Sequence, residues 1–381
     1  MNKGQSEVSR RSLLYGLAGA ALGAGQWGVL SAQNSGIASN RSGPRRLDVH
    51  SHFGSPRWIK RVLELKPQGW NRFDGWTPAK HLDMMDKGGV QTGFVSATEP
   101  GVWFGDDYSS NSPERAEAIS LARDMNEYGA RMKSDYKGRF GLFAVLPIPD
   151  VDATLKEIEF AFDTLHADGV GLLTSYGNMW LGDEKLQPIF DELNRRNAIA
   201  YVHPTDSNCC HSLAHASPGT VEWLSDTGRS INSLVSMAAP YDGGPTPPVG
   251  ADGPPRISAA TRYGNVKFIW SHGGGSLLGI ANRVVGFNHD NDVLGRPAAP
   301  NSKLWHIRRF YYDTAQAANP ILMQGMKALV GMSRIVFGSD APYVEPAVYN
   351  QTLRQCGFSE EELRAVDREN ALRFLPNYRT I

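Results

Sequence analysis

Eight short β-rich runs, separated by helix-like stretches, constrain this chain more than any other feature of it. The runs fall at residues 46–50, 90–97, 140–146, 170–173, 199–203, 266–270, 310–313 and 335–337. Helical spacing marks 79–88, 113–133, 152–165, 185–196, 277–287 and 320–329. In 152–165, for example, Leu155, Ile158, Phe162 and Leu165 recur at intervals of three and four. Strands that alternate with helices imply a parallel sheet, and eight such units close most simply into a (β/α)8 TIM barrel. Two insertions interrupt the rhythm, 55–76 after strand 1 and 206–262 after strand 5, the latter with a Gly/Pro-rich tract at 240–255. Both follow a strand, on the side where barrels keep their active sites, and are expected to be lids or subunit contacts.

The ends of the strands carry the chemistry. Strand 1 ends Asp48-Val49-His50-Ser51-His52. Side chains two apart on a strand share a face, so His50 and His52 are expected to point into the barrel together. Strand 5 ends in His203, strand 6 runs into Ser271-His272-Gly273-Gly274-Gly275, and strand 8 runs into Gly338-Ser339-Asp340. Three imidazoles and a carboxylate from His50, His52, His203 and Asp340 suit one divalent ion of zinc type with room for a water. Such an ion lowers the pKa of water toward neutrality. The other six of the ten histidines lack a strand-end setting: His81 and His166 are read as helical, His211 and His215 lie on the second insertion, and His289 and His306 lie near helix or loop ends. These six are assigned surface or packing roles. Trp58, Trp70, Trp76 and Trp103 are placed near the pocket mouth, where a planar ring or simple packing would account for them.

Composition narrows the partner. Basic and acidic residues balance at 39 each, so no net field draws in nucleic acid or an anionic membrane, and a small molecule is the expected partner. Cys209, Cys210 and Cys356 are odd in number and two of them are adjacent, which is no disulfide framework. Ahead of the barrel, Ser9-Arg10-Arg11-Ser12-Leu13-Leu14 opens an apolar Gly/Ala-rich run and resembles a twin-arginine export signal. The expected organisation is a signal segment at 1–32, a polar flexible linker at 33–44 and a barrel domain at 45–381. Export to the periplasm or outside the cell follows, with no stable membrane span after processing.

These stretches resemble the amidohydrolase-related metalloenzymes of the aminocarboxymuconate-semialdehyde decarboxylase type, and within them the 6-methylsalicylate decarboxylase-like branch. The resemblance runs from Leu47 to Pro376 and is carried by Asp48–Phe53, Arg139–Pro147, Ala167–Val170, Val202–Thr205, Ser271–Gly275, Phe310–Thr314 and Phe337–Asp340. It implies that His50, His52, His203 and Asp340 hold the metal and that His272 is the acid/base. It implies also that Arg283, eleven residues beyond His272, reaches a substrate carboxylate in a neighbouring subunit of a homodimer or larger assembly. Related benzoate decarboxylases often carry glutamate at the position of His50, with manganese; histidine there inclines this chain toward zinc. The segment Glu222–Arg229 follows the decarboxylase pattern only loosely. Two activities remain open on the sequence. One is decarboxylation of an aromatic or unsaturated carboxylic acid, with His272 or Asp340 moving the proton. The other is hydrolysis of a lactone, ester or amide.

Overall fold

The computed structural model describes residues 45–65, 71–105, 107–109, 111–205, 222–236, 257–286 and 297–381. The chain divides into two units, and all of these residues belong to the second, Ser42–Ile381. The expected signal segment and linker, Trp70, Cys209, Cys210, His211, His215, His289 and the 240–255 tract lie outside the described residues.

Eight parallel strands form one sheet in sequence order. They are β1 (Arg46–His52), β2 (Val90–Ser96), β3 (Phe140–Val145), β4 (Gly169–Leu173), β5 (Ile199–His203), β6 (Lys267–Trp270), β7 (Tyr311–Asp313) and β8 (Ile335–Val336). Each coincides with an expected run to within two residues. The barrel closes where β1 meets β8. Val49 N–H donates to Phe337 O at 3.0 Å, His52 N–H to Ala341 O at 2.7 Å, and Asp340 N–H to His50 O at 2.8 Å. Strands that are almost wholly buried on both faces explain why the runs read as continuous apolar stretches.

Helices start where short polar caps precede them. Asp150 accepts from Ala153 N–H ahead of the helix Val151–Glu159, and Asn319 accepts from Leu322 N–H ahead of Pro320–Val330. The expected helix 152–165 is in two parts, an α-helical turn set and a π-helical end at Phe160–Thr164. His166 lies just past that end with φ 54°, off the helix on which its sequence position had placed it. Both insertions contain helices. The first holds Pro56–Leu65, whose Trp58 and Val62 are buried one turn apart. The second holds Glu222–Val235, which supplies the helix after β5. Trp58 and Trp76 are core residues rather than mouth residues. Trp58 is fully buried and its Nε1–H donates to Gly101 O, and Trp76 Nε1–H donates to His81 Nδ1.

The lumen is filled from below. Leu47, Val49, Phe94, Phe143, Tyr201 and Val336 form one cluster with the C-terminal residues Leu372, Phe374, Leu375 and Tyr378. Phe94 stacks on Phe143 at 5.4 Å and meets Tyr378 edge-on at 4.7 Å, while Tyr378 OH donates to Asp168 Oδ1. The carboxyl-terminal segment thus plugs the amino-terminal end of the barrel, leaving the opposite end for chemistry. Phe94→Ala should destabilise the fold by about 3–5 kcal/mol, the usual cost of an unfilled aromatic site. Guanidinium unfolding reads this directly, and a loss below about 1 kcal/mol would show that the plug is not packed as described.

Candidate metal centre

Four side chains converge at the carboxyl-terminal end of the barrel. One ligand atom from each of His50, His52, His203 and Asp340 lies within 4.8 Å of all the others, and all four residues are buried. His50 Nε2 is 3.1 Å from His52 Nε2, and Asp340 Oδ1 is 3.2 Å from both. Donors bonded at about 2.1 Å to a tetrahedral centre would stand about 3.4 Å apart, so the spacing fits a cation.

Local backbone geometry builds this convergence. Leu47 and Val49 face the lumen below, and His50 and His52 face it above, which strict alternation along a strand forbids. The register supplies the change of parity: Asp48 pairs with Gly93 but Ser51 with Val95, three steps on β1 against two on β2. Ser51 is turned outward, its Oγ hydrogen-bonded to His81 Nε2. Just past β8, Gly338 is required by close approach, because a Cβ there would stand 2.8 Å from the Cβ atoms of both His50 and Asp313. Asp340 and His272 both sit at positive φ, 69° and 51°, a strained region in which Asp and His are among the few side chains found.

The ring nitrogens are assigned by their partners. His50 Nδ1 is 2.8 Å from Asp313 Oδ2, His203 Nδ1 is 2.8 Å from Pro204 O, and His272 Nδ1 is 3.0 Å from Ala315 O. Carbonyl and carboxylate oxygens only accept, so each Nδ1 carries its hydrogen and each neutral ring keeps a lone pair on Nε2. At His50 and His203 that lone pair belongs to the converging set. Lone pairs and a carboxylate oxygen facing one point call for positive charge there, supplied either by a cation or by a proton on His50. Burial opposes charge on His50, but Asp313 and Asp340 outweigh it and raise its pKa to about 10. Burial lowers the pKa of His52 and takes that of His203 well below its ordinary value, with neighbouring histidines adding to the effect. Burial would raise the pKa of Asp340, but His50 and His52 hold it well below the usual carboxylate range.

His272 lies beside the four but outside the converging set, its ring 4.9 Å from that of His50 and 5.8 Å from that of His203. Burial and then His50 lower its pKa, which leaves a neutral ring. Arg283 is not among these residues. It is exposed on the helix Leu277–Val284. His81 is buried and accepts from Trp76 Nε1–H, and burial takes its pKa down to about 3; its part is packing. His306 is likewise buried, against Thr261 Oγ1.

Two residues of the site escaped the sequence reading. Asp313 ends β7 and divides its carboxylate: Oδ2 faces His50 Nδ1, while Oδ1 accepts from His272 N–H at 2.9 Å and Ala315 N–H at 3.0 Å. The strand-end rule that found the converging residues applied equally to strand 7. Gln316, whose Nε2 donates to Asp340 Oδ2, sits in a turn with φ 50° and left no signal in the sequence.

Comparison with known proteins places this geometry among relatives. A family model described as amidohydrolase matches residues 47–376. Decarboxylase yanB of Aspergillus niger is 32% identical over 352 residues, covering 87% of this chain and 88% of that protein. The 6-methylsalicylic acid decarboxylase of Penicillium expansum is 29% identical over 356 residues, covering 88% and 98%. Among solved structures, a dihydroxybenzoic acid decarboxylase from Polaromonas, with bound manganese and the inhibitor 2-nitroresorcinol, superposes with a TM-score of 0.71. It covers 88% of this chain and 97% of its own at 17% identity, a likeness of fold.

Asp313→Asn should weaken divalent-metal affinity about 10–100-fold, the usual cost of removing the carboxylate behind a ligating imidazole. Competition against a fluorescent chelator measures it, and unchanged affinity would show that Asp313 does not support His50.

Proposed function

The chain belongs to the amidohydrolase family, and from that premise we propose that it decarboxylates an aromatic carboxylic acid at one divalent ion held by His50, His52, His203 and Asp340. It is an enzyme, a carboxy-lyase; the substrate, the ligand roles and the residue roles are our reading. The observation that carries it is the convergence of three imidazoles and a carboxylate beside a fourth histidine whose Nε2 is free. Relatives named as decarboxylases weigh for carbon–carbon cleavage over hydrolysis of a lactone, ester or amide.

Bound there, the ion supplies fixed positive charge that holds and orients the acid. In the reaction the bond between ring carbon and carboxylate carbon breaks, its electron pair stays on the ring carbon, carbon dioxide leaves, and one proton is added to the ring. His272 suits the proton transfer better than Asp340. Its Nδ1–H is fixed on Ala315 O, so Nε2 alone takes up and delivers the proton. Asp340, held anionic by His50 and His52, is a ligand rather than a donor.

Zinc is favoured by the three imidazoles, with manganese, the metal of the Polaromonas structure, as the alternative. Export by a twin-arginine route is supported by Arg10-Arg11 and the apolar run after them. Among the described residues no helix is long and apolar enough to cross a membrane.

Chelation should abolish carbon dioxide release from hydroxybenzoates, and metal should restore it. His272→Asn should keep its metal and lose about 10²-fold or more in kcat; metal lost in proportion to activity would make His272 a ligand instead. Arg283, exposed on its own chain, is proposed to serve a neighbour's site, which makes the active form a dimer or larger. Arginine grips a carboxylate with two parallel donors and lysine does not, so Arg283→Lys should raise KM well beyond any loss of stability. Mixing inactive Arg283→Ala and His272→Asn subunits under exchange should restore activity, because one hybrid site regains both residues. Full activity in a monomer would reject the sharing.

A further inference from the structure

At the amino-terminal end of the barrel, away from the metal centre, a cleft of about 300 Å³ opens at the starts of β6 and β7. That size falls in the range of small-molecule sites. Its wall collects a cation from each of three successive strand starts. Lys267 is the first residue of β6, Arg309 lies just ahead of β7, and Arg334 directly precedes β8. Among the described residues no aspartate or glutamate lines the cleft.

These cations lack the partners that many other basic side chains have. Arg262, one residue before Tyr263 on the cleft wall, is paired with Asp191 at 2.6 Å, and Arg196 is paired with Asp163 at 2.6 Å. Lys267 Nζ instead donates to Asn197 O at 3.2 Å, and Arg309 donates to Gly264 O at 3.4 Å. Arg309 lies over the ring of Trp305 at 4.1 Å, and Arg334 over that of Tyr311 at 5.0 Å. Carbonyls and ring faces hold a cation in place without cancelling its charge. The charges also act on one another: burial, and then Arg334, lower the pKa of Arg309. His306, on the same wall, is kept neutral, its pKa taken down to about 4 by burial and then by Arg309. Like charges gathered without a counter-ion destabilise the fold that gathers them, and an anion between them reverses the sign.

We propose that this cleft binds a small oxyanion of charge two or more, of the sulfate or phosphate class, between Lys267, Arg309 and Arg334. A monovalent ion would leave most of the repulsion in place, whereas two or three negative charges balance three cations. A guanidinium presents paired donors to such an ion. Bound there, the anion ties together the starts of β6, β7 and β8, the strands that lead at their far ends into His272, Asp313 and Asp340. The site is apart from the metal centre and does not depend on the reaction proposed above.

Calorimetric titration of metal-loaded protein with sulfate, and with acetate at the same ionic strength, tests it. Sulfate should bind saturably, one per chain, at least about tenfold more tightly than acetate. Arg309→Gln, Arg334→Gln and Lys267→Gln should each weaken sulfate by about tenfold or more, while Arg309→Lys, which keeps the charge, should weaken it less. At a hundredfold excess over Kd, sulfate should raise Tm by about 4 °C beyond its general stabilising effect on proteins. The folded double variant Arg309→Gln/Arg334→Gln should show that general effect alone. Absence of saturable binding, or equal binding of sulfate and acetate, overturns the site. Undiminished sulfate binding by the charge-removal variants also overturns it, because the ion would then sit elsewhere, at the metal. Loss of subunit association in those variants with sulfate affinity unchanged overturns it too, and assigns the cleft to a second copy of the chain.

Discussion

The closing seam between β1 and β8 is the contact on which the rest of this molecule depends. A parallel barrel must join its last strand to its first, and here the joining hydrogen bonds involve the backbones of His50, His52 and Asp340 themselves. Closure and assembly of the metal centre are therefore one event. Asp48 reinforces it from the β1 side, its carboxylate accepting from Ser339 N–H, Ser339 Oγ–H and His50 N–H. Burial raises the pKa of that carboxyl to about 7 against these bonds, a measure of how dry the seam is. Tyr349 adds a brace, donating to Ser339 O and accepting from Gln316 N–H.

A seam so tight restricts what can stand in it. Gly338 passes between His50 and Asp313 where no Cβ fits. Asp340 and His272 turn at positive φ, so each functional side chain leaves its strand at an angle that a regular extended chain would not give. The strain is held by hydrogen bonds from neighbouring side chains. Asp313 is the clearest case, since one carboxylate fixes the ring of His50 and the backbone of His272. The ring of His50 and the backbone of His272 are thus set relative to each other through a third residue.

Much of this was legible in the chain. The eight strands stand where apolar, β-branched runs stopped at turn residues, because strands buried on both faces have almost no freedom of composition. The four converging residues were legible because each is polar at the point where such a run ends. What was misread had local signals with two tertiary meanings. Trp58 and Trp76 were placed near the pocket mouth because they lie after strand 1, yet both are buried, donating to Gly101 O and His81 Nδ1. His166 followed a helical pattern, but the helix ends two residues earlier, at Thr164.

The sequence by itself determined the barrel, its strand order and the identities of the residues that meet at its open end. Those follow from periodicity and from the abrupt change of polarity at strand ends. Only the tertiary structure decided how they meet. The shift of register between Asp48 and Ser51 puts Val49 and His50 on the same side of the sheet, against the alternation that local sequence predicts. The pairing of Asp313 with His50 spans 263 residues. Contacts at that separation are fixed by how the barrel closes and leave no trace in a local window of sequence.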